Sequence, residues 1–375
     1  MKTLIKVLRL PMLASAMIGY VIAASDAQLA APVSYQQKAA EVTESIHKNF
    51  LLEKQALYSR TIEDRSPDFI WGGGVMFSTL ATAARHDSKY KDIMRRYYNG
   101  LEVYWDTKVE IPGYEPAPTN GNGSDKYYDD NAWLVISFIE AYEITGDSRY
   151  LKRAEETLDF VMSGWDDILG GGIWWHEKHK DDSKNTCSNA PTAVACFRLS
   201  KHLNGEEREK RISDGIKITE WTTRTLRGTN GLFGDNIKRN GKINHGQLTY
   251  NSALMLRAYL CIHAITGNDI YLEEARQIGR AAEAFLDRET GAYRDLLRWS
   301  HLMVEADLEL YRWTGEDYLL KRAKTNCDVN YERWKKDPPK ELIDQASLAR
   351  QLWLMADHET ESGLTFWRKS DRLRM

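Results

Sequence analysis

A short punctuation mark recurs along the chain and restricts its fold more than any other feature. Thr145-Gly146-Asp147 is followed by Tyr150-Leu151 and Ala154; Thr266-Gly267-Asn268 by Tyr271-Leu272 and Ala275; Thr314-Gly315-Glu316 by Leu319-Leu320 and Ala323. Counted from Thr, Leu stands at +6 and Ala at +9 each time. Gly after a helical run ends it, because only Gly enters the left-handed conformation cheaply. The acidic or amide residue that follows suits the start of the next helix. Each unit therefore predicts helix, tight turn, helix, and weaker echoes lie at 85–90 and 204–207. Self-similarity of this kind predicts a repeat architecture.

The long apolar segments carry the same rhythm. They fall near 75–85, 131–143, 190–200, 251–263, 302–313 and 345–356, and several are apolar nearly all round, such as WLVISFIEAY at 133–142. A helix apolar on every side is buried on every side. Between them lie amphipathic, charged segments near 38–60, 88–106, 149–163, 206–227, 269–287 and 316–334. Six inner helices alternating with six outer ones predict an all-α fold, an (α/α)6 barrel with one core. That reading makes residues 28–375 one domain, although so long a chain ordinarily divides into two.

The N-terminus reads as an export leader. Lys2 and Lys6 precede an apolar run over 10–24, and small residues at 25–27 predict cleavage after Ala27. The mature chain is expected to be secreted or periplasmic, with no membrane span, and monomeric. The net charge of −3 and the lack of a Lys/Arg stripe exclude nucleic acid as a partner. Cys187, Cys196, Cys261 and Cys327 are sparse and show no disulfide spacing. His176 and His179 form a lone pair in a polar loop, so no metal and no cofactor are expected. Twelve Trp and nineteen Tyr against nine Phe favour rings with an apolar face and a polar edge, which suit stacking on sugars.

In such a ring all inner helices run the same way, so the loops that enter them gather at one end. Those loops are long and rich in aromatics, including Trp71, Tyr127, Tyr128, Trp174, Trp175, Tyr250, Tyr293 and Trp299. Three adjacent acid pairs occur, Asp129-Asp130, Asp166-Asp167 and Asp181-Asp182. Only the first stands at the first turn of an inner helix. One carboxylate there would be an ordinary cap. A second beside it costs like-charge repulsion, which separates an easily ionised carboxyl from one that keeps its proton. Glycoside hydrolysis needs that division of roles. Substitutions at 166–167 or 181–182 are expected to leave turnover intact.

Three motifs, YYDDNAW at 127–133, GGGIWW at 170–175 with NTCSNAP at 185–191, and LTYNSALM at 248–255, make the chain resemble glycoside hydrolase family 76, the endo-acting α-1,6-mannanases. The resemblance implies a retaining enzyme acting on α-mannan, with Asp129 the nucleophile and Asp130 the acid/base. It implies that Trp174, Trp175, Asn185, Asn189, Tyr250 and Asn251 line the substrate groove. Trp71, Tyr127, Tyr128, Asn131 and Trp133 join them as expected substrate-binding residues. Other readings stay open on the same barrel. A sugar epimerase would use His245 and His301; an unsaturated glucuronyl hydrolase would use Arg294, Arg298 and Lys238; a glycan-binding protein would need no acid pair.

Overall fold

The computed structural model describes residues 33–121 and 123–360. The outer helices are α1 (Tyr35–Phe50), α3 (Lys89–Leu101), α5 (Ser148–Met162), α7 (Gly205–Leu226), α9 (Asp269–Ala281) and α11 (Asp317–Lys336). The inner helices are α2 (Ile70–His86), α4 (Tyr128–Thr145), α6 (Thr186–Ser200), α8 (Thr249–Thr266), α10 (Leu297–Thr314) and α12 (Leu342–Glu359). Each inner helix packs on the next, and α12 closes on α2. The fold is thus the expected (α/α)6 barrel. Each of α2 to α10 pairs closely with the outer helix that follows it, while α1 packs on α12 and joins the two ends of the ring.

The recurring Thr-Gly turn has a physical basis in this pairing. Gly146, Gly267 and Gly315 cap α4, α8 and α10 in the left-handed region, at φ of 72°, 68° and 69°. The preceding Thr hydroxyl donates back to the helix, as Thr145 does to the Ala141 carbonyl at 2.7 Å. The same oxygen accepts the N–H two residues on, as from Asp147 at 3.2 Å. Asp147 and Asn268 then cap the next helix. Ala154, Ala275 and Ala323 are fully buried, so the small side chain at +9 lets each outer helix approach its inner partner.

The apolar reading of the inner helices is incomplete. They also bury Glu140, Arg198, Arg257, Glu305, Arg350 and Asp357. Arg350 Nη1 lies 2.8 Å from Glu140 and Nη2 3.0 Å from Glu305, while Arg257 reaches Glu305 at 3.1 Å and Glu309 at 3.0 Å. Each charge is matched by a neighbouring helix, the condition for burying ions. The first outer segment also ends earlier than its pattern suggests. Helix α1 stops at Phe50, and Leu51–Leu52 pairs with Leu57–Tyr58 as a small antiparallel hairpin. Near the site, Ser183–Asn185, Asn236–Lys238 and Ile243–Asn244 form a three-stranded sheet that ties two long loops together. The four cysteines are buried free thiols. The proposed leader lies outside the described residues. Among those described, no helix is long and apolar enough to cross a membrane.

Candidate active site

Five inner helices point their first turns into one cleft of about 620 Å³. Helix α2 supplies Trp71, α4 supplies Asp129, Asp130 and Trp133, α6 supplies Cys187, α8 supplies Tyr250 and α10 supplies Trp299. The unpaired N–H groups and the positive dipole ends of these helices favour negative charge at the rim.

The two aspartates differ in their surroundings. Asp129 Oδ2 accepts from Trp175 Nε1 at 3.1 Å and from the Cys187 thiol at 3.2 Å. Its other oxygen, Oδ1, is buried and has no partner among the described residues. Burial raises the Asp129 carboxyl above the ordinary range, and the Cys187, Trp175 and backbone N–H bonds pull it part of the way back. Asp130 is pushed well up by burial and then by the charge of Asp129, with no such offset. The pair therefore loses its first proton from Asp129 and keeps the second on Asp130. Cys187 stays a protonated donor, because burial and the Asp129 charge push its thiol up.

Aromatic rings form the walls. Tyr250 stacks on Trp299 with centroids 6.3 Å apart and meets Trp133 at 6.5 Å. Trp175 meets Tyr127 edge-on at 5.2 Å. Asn185 also faces the cleft. So eight of the expected residues, Trp71, Tyr127, Asp129, Asp130, Trp133, Trp175, Asn185 and Tyr250, come together there.

Five others do not line it, and four of these have a structural task instead. Tyr128 is buried with its ring stacked on Phe160 at 5.0 Å. Asn131 is buried: it accepts the Tyr114 N–H at 2.8 Å and donates to the Tyr114 and Tyr127 carbonyls. Asn189 repeats the arrangement on α6, accepting the Ile173 N–H at 2.8 Å and donating to the Ile173 and Asn185 carbonyls. A side-chain amide carries both a donor and an acceptor, so it can pin a loop to a helix start as a strand partner would. Trp174 is fully buried, donates to Asp166 Oδ2 at 2.7 Å and lies under the Lys184 ammonium. Asn251 is buried beside Asp235.

Asp166 has a structural task too. It accepts from buried Lys184 at 2.6 Å as well as from Trp174, so its removal strands a buried cation. Asp182 meets Lys238 at 2.7 Å on the half-exposed sheet. The glycines at 170–172 take positive φ, and a Cβ on Gly172 would sit 2.5 Å from the Trp221 ring. The GGGIWW motif is therefore chiefly a turn packed on tryptophan.

The cleft holds one carboxyl that the pattern of adjacent acids did not reveal. Asp235 is half-buried there, accepts Asn236 Nδ2 at 2.7 Å and Asn244 Nδ2 at 3.0 Å, and is raised by burial. Phe69, Pro116 and Asn236 line the cleft too. Cys187 belongs to NTCSNAP, yet only its distance to Asp129 gives it a role. His301 lies instead in the smaller cavity beyond Trp71 and Trp133, with its ring held neutral down to about pH 4 by burial. His245 is exposed on the sheet edge. Arg298 is engaged by Asp344 and Glu341.

A toroid of helical hairpins that sets a carboxylic acid beside a carboxylate in an aromatic cleft is the layout of a glycoside hydrolase. Residues 34–312 match Glycosyl hydrolase family 76, and the chain belongs to that family. Its fold is similar to that of a GH76 α-mannanase from Bacteroides thetaiotaomicron (TM-score 0.82, 22% identity, 88% of this chain and 97% of that one). It is also similar to the GH76A α-1,6-mannanase of Salegentibacter sp. HEL1_6 (TM-score 0.74, 22% identity, 86% and 99%). An inactive variant of that enzyme, with two consecutive aspartates changed to asparagine, has been seen with α-1,6-mannotriose (TM-score 0.73, 22% identity, 86% and 99%). At these identities the likeness is one of fold. Comparison with curated proteins gives no match.

Proposed function

We propose that this glycoside hydrolase cleaves α-1,6-mannosidic linkages within mannan chains with retention of configuration. The carrying observation is the asymmetry of the pair in one cleft: Trp175 and Cys187 donate to Asp129 Oδ2, while burial of Asp130 has no such offset. A cleft-lining carboxylate whose charge is steadied by two donors is arranged as a nucleophile. Asp130, which keeps its proton, is its acid. Asp130 protonates the bridging oxygen as the Asp129 carboxylate bonds to the anomeric carbon and the leaving sugar departs. Asp130, now ionised, takes a proton from water, whose oxygen displaces Asp129 and restores the original configuration. Both carboxyls arise from one helical turn and face one cleft, which supports the shorter separation that retention requires. The Trp133–Tyr250–Trp299 series offers stacking faces for consecutive sugars. The cleft is large enough for a short run of them, since pockets of roughly 300–1,000 Å³ hold drug-sized ligands.

Defined α-1,6-manno-oligosaccharides test this reading. Wild type should release shorter oligosaccharides, the α-anomer first by NMR. Asp129→Asn should lose at least about a thousandfold in kcat while still binding substrate. A β-anomer first product, or full activity in Asp129→Asn, would overturn it. We also infer that the protein is exported after cleavage behind Ala27, leaving residues 28–375 as one catalytic domain and acting as a monomer. N-terminal sequencing of the mature chain and its mass in solution check both points.

A further inference from the structure

The polar loop after Trp175 holds two histidines that the hydrolytic chemistry does not use. In sequence they lack the third ligand that a metal site needs. The fold supplies it from 51 residues upstream, where His176 Nδ1 lies 2.5 Å from Asp125 Oδ2. His179 Nε2 lies 3.9 Å from that same oxygen, and the two imidazoles face each other with centroids 4.8 Å apart. All three ligand atoms fall within 4.8 Å of one another, the one such trio of His, Cys, Asp or Glu among the described residues. We propose that Asp125, His176 and His179 bind a borderline first-row divalent cation, Zn²⁺ in the first instance, behind the Tyr127 and Trp175 wall of the cleft.

Geometry, preorganisation and charge support the assignment. Bonds of about 2.0–2.1 Å set tetrahedral zinc ligands roughly 3.3 Å apart. The carboxylate lies 2.5 and 3.9 Å from the two rings and the widest ligand pair is within 4.8 Å, so turning the exposed His179 ring inward completes the cage. The two loops are already tied together. Tyr127 and His176 form an antiparallel bridge, the Glu177 N–H donates to the Lys126 carbonyl at 2.9 Å, and the Lys178 N–H donates to Asp125 Oδ1 at 2.8 Å. The last bond orients the carboxylate and leaves Oδ2 to the ion, as outer hydrogen bonds do in metal centres. His176 is packed flat on Tyr127, with an interplanar angle of 7° and centroids 5.1 Å apart, which fixes its ring. Neighbouring cations are engaged elsewhere. Lys178 Nζ donates to the Gly123 carbonyl, Lys180 Nζ to the Ser163 carbonyl at 3.0 Å, and Lys126 pairs with Glu177 at 2.8 Å. Two imidazoles and one carboxylate match Zn²⁺, Co²⁺ or Ni²⁺ better than Mg²⁺ or Ca²⁺, which prefer all-oxygen cages. Three protein ligands leave a position for water, and the ion clamps the loops that carry Tyr127 and Trp175.

The test uses the full, tag-free chain stripped with chelator, and it does not involve mannan. Zn²⁺ should bind with one-to-one stoichiometry and raise the thermal midpoint by about 2–4 °C at saturation. Co²⁺ should give the visible bands of a low-coordinate nitrogen and oxygen site. His179→Ala, at an exposed ring, should fold normally and weaken binding at least about tenfold. Asp125→Asn should do the same. Absence of stoichiometric binding, or binding unchanged in both variants, overturns the proposal.

Discussion

Replacing Cys187 by Ala removes one of the two side-chain donors on Asp129 Oδ2 and leaves Trp175 as the other. The donor favours the ionised carboxyl, so its loss raises the Asp129 pKa. The acid limb of kcat/KM should move to higher pH, with folding kept and Cys187→Ser partly restoring the limb. An unmoved limb would show that the thiol does not tune the nucleophile. Asp130 gives a second test. Its folded pKa lies above the unfolded value, so between the two the native state holds a proton that the unfolded chain has lost. That contribution to stability is complete below the unfolded value of about 3.9 and fades as pH rises. Asp130→Asn carries no such proton, so its melting temperature should exceed wild type at neutral pH and converge with it near pH 4. The adjacent acids were legible because two carboxylates at one helix start cannot both be caps. Tyr128, Asn131, Trp174 and Asn189 are buried instead, because a motif does not say which way its side chains point: in YYDDNAW, Tyr127, Asp129, Asp130 and Trp133 line the cleft while Tyr128, Asn131 and Ala132 are buried.

At the scale of elements, the helices followed from the apolar rhythm and the turns from the Thr-Gly marks. Their ends were less legible. Helix α1 stops at Phe50 although its polar pattern runs on, because a two-residue hairpin takes over the backbone pairing. The turn glycines can be tested cleanly. A Cβ at Gly146, Gly267 or Gly315 meets nothing within 4 Å, so substitution by Ala costs only the left-handed backbone. Each change should lower stability by about 1 kcal/mol in denaturant melts, and the three should add because the sites are independent. Gly172→Ala should cost more, since its Cβ would strike Trp221. Equal losses at all four would mean that packing on tryptophan is unimportant in the 170–172 turn.

The whole molecule is held by closure of the ring and by the ion network at its centre. Arg350 on α12 reaches Glu140 on α4, Glu305 on α10 and the Ser78 carbonyl on α2. Arg350→Ala should destabilise by about 3 kcal/mol, because two buried carboxylates lose a shared cation and keep only Arg85 and Arg257. A melting temperature equal to wild type would show that the network contributes nothing to the barrel. The sequence by itself determined the helix count, the alternation of inner and outer layers and the end of the barrel where chemistry gathers, because those depend on local periodicity and on which residues stop or start a helix. Only the tertiary structure decided which side chains meet: Cys187 with Asp129, Asp125 with His176, Lys184 with Asp166, Glu140 with Arg350. Those pairs are separated by 18 to 210 positions, and no spacing along a chain encodes a contact that exists only once the ring has closed.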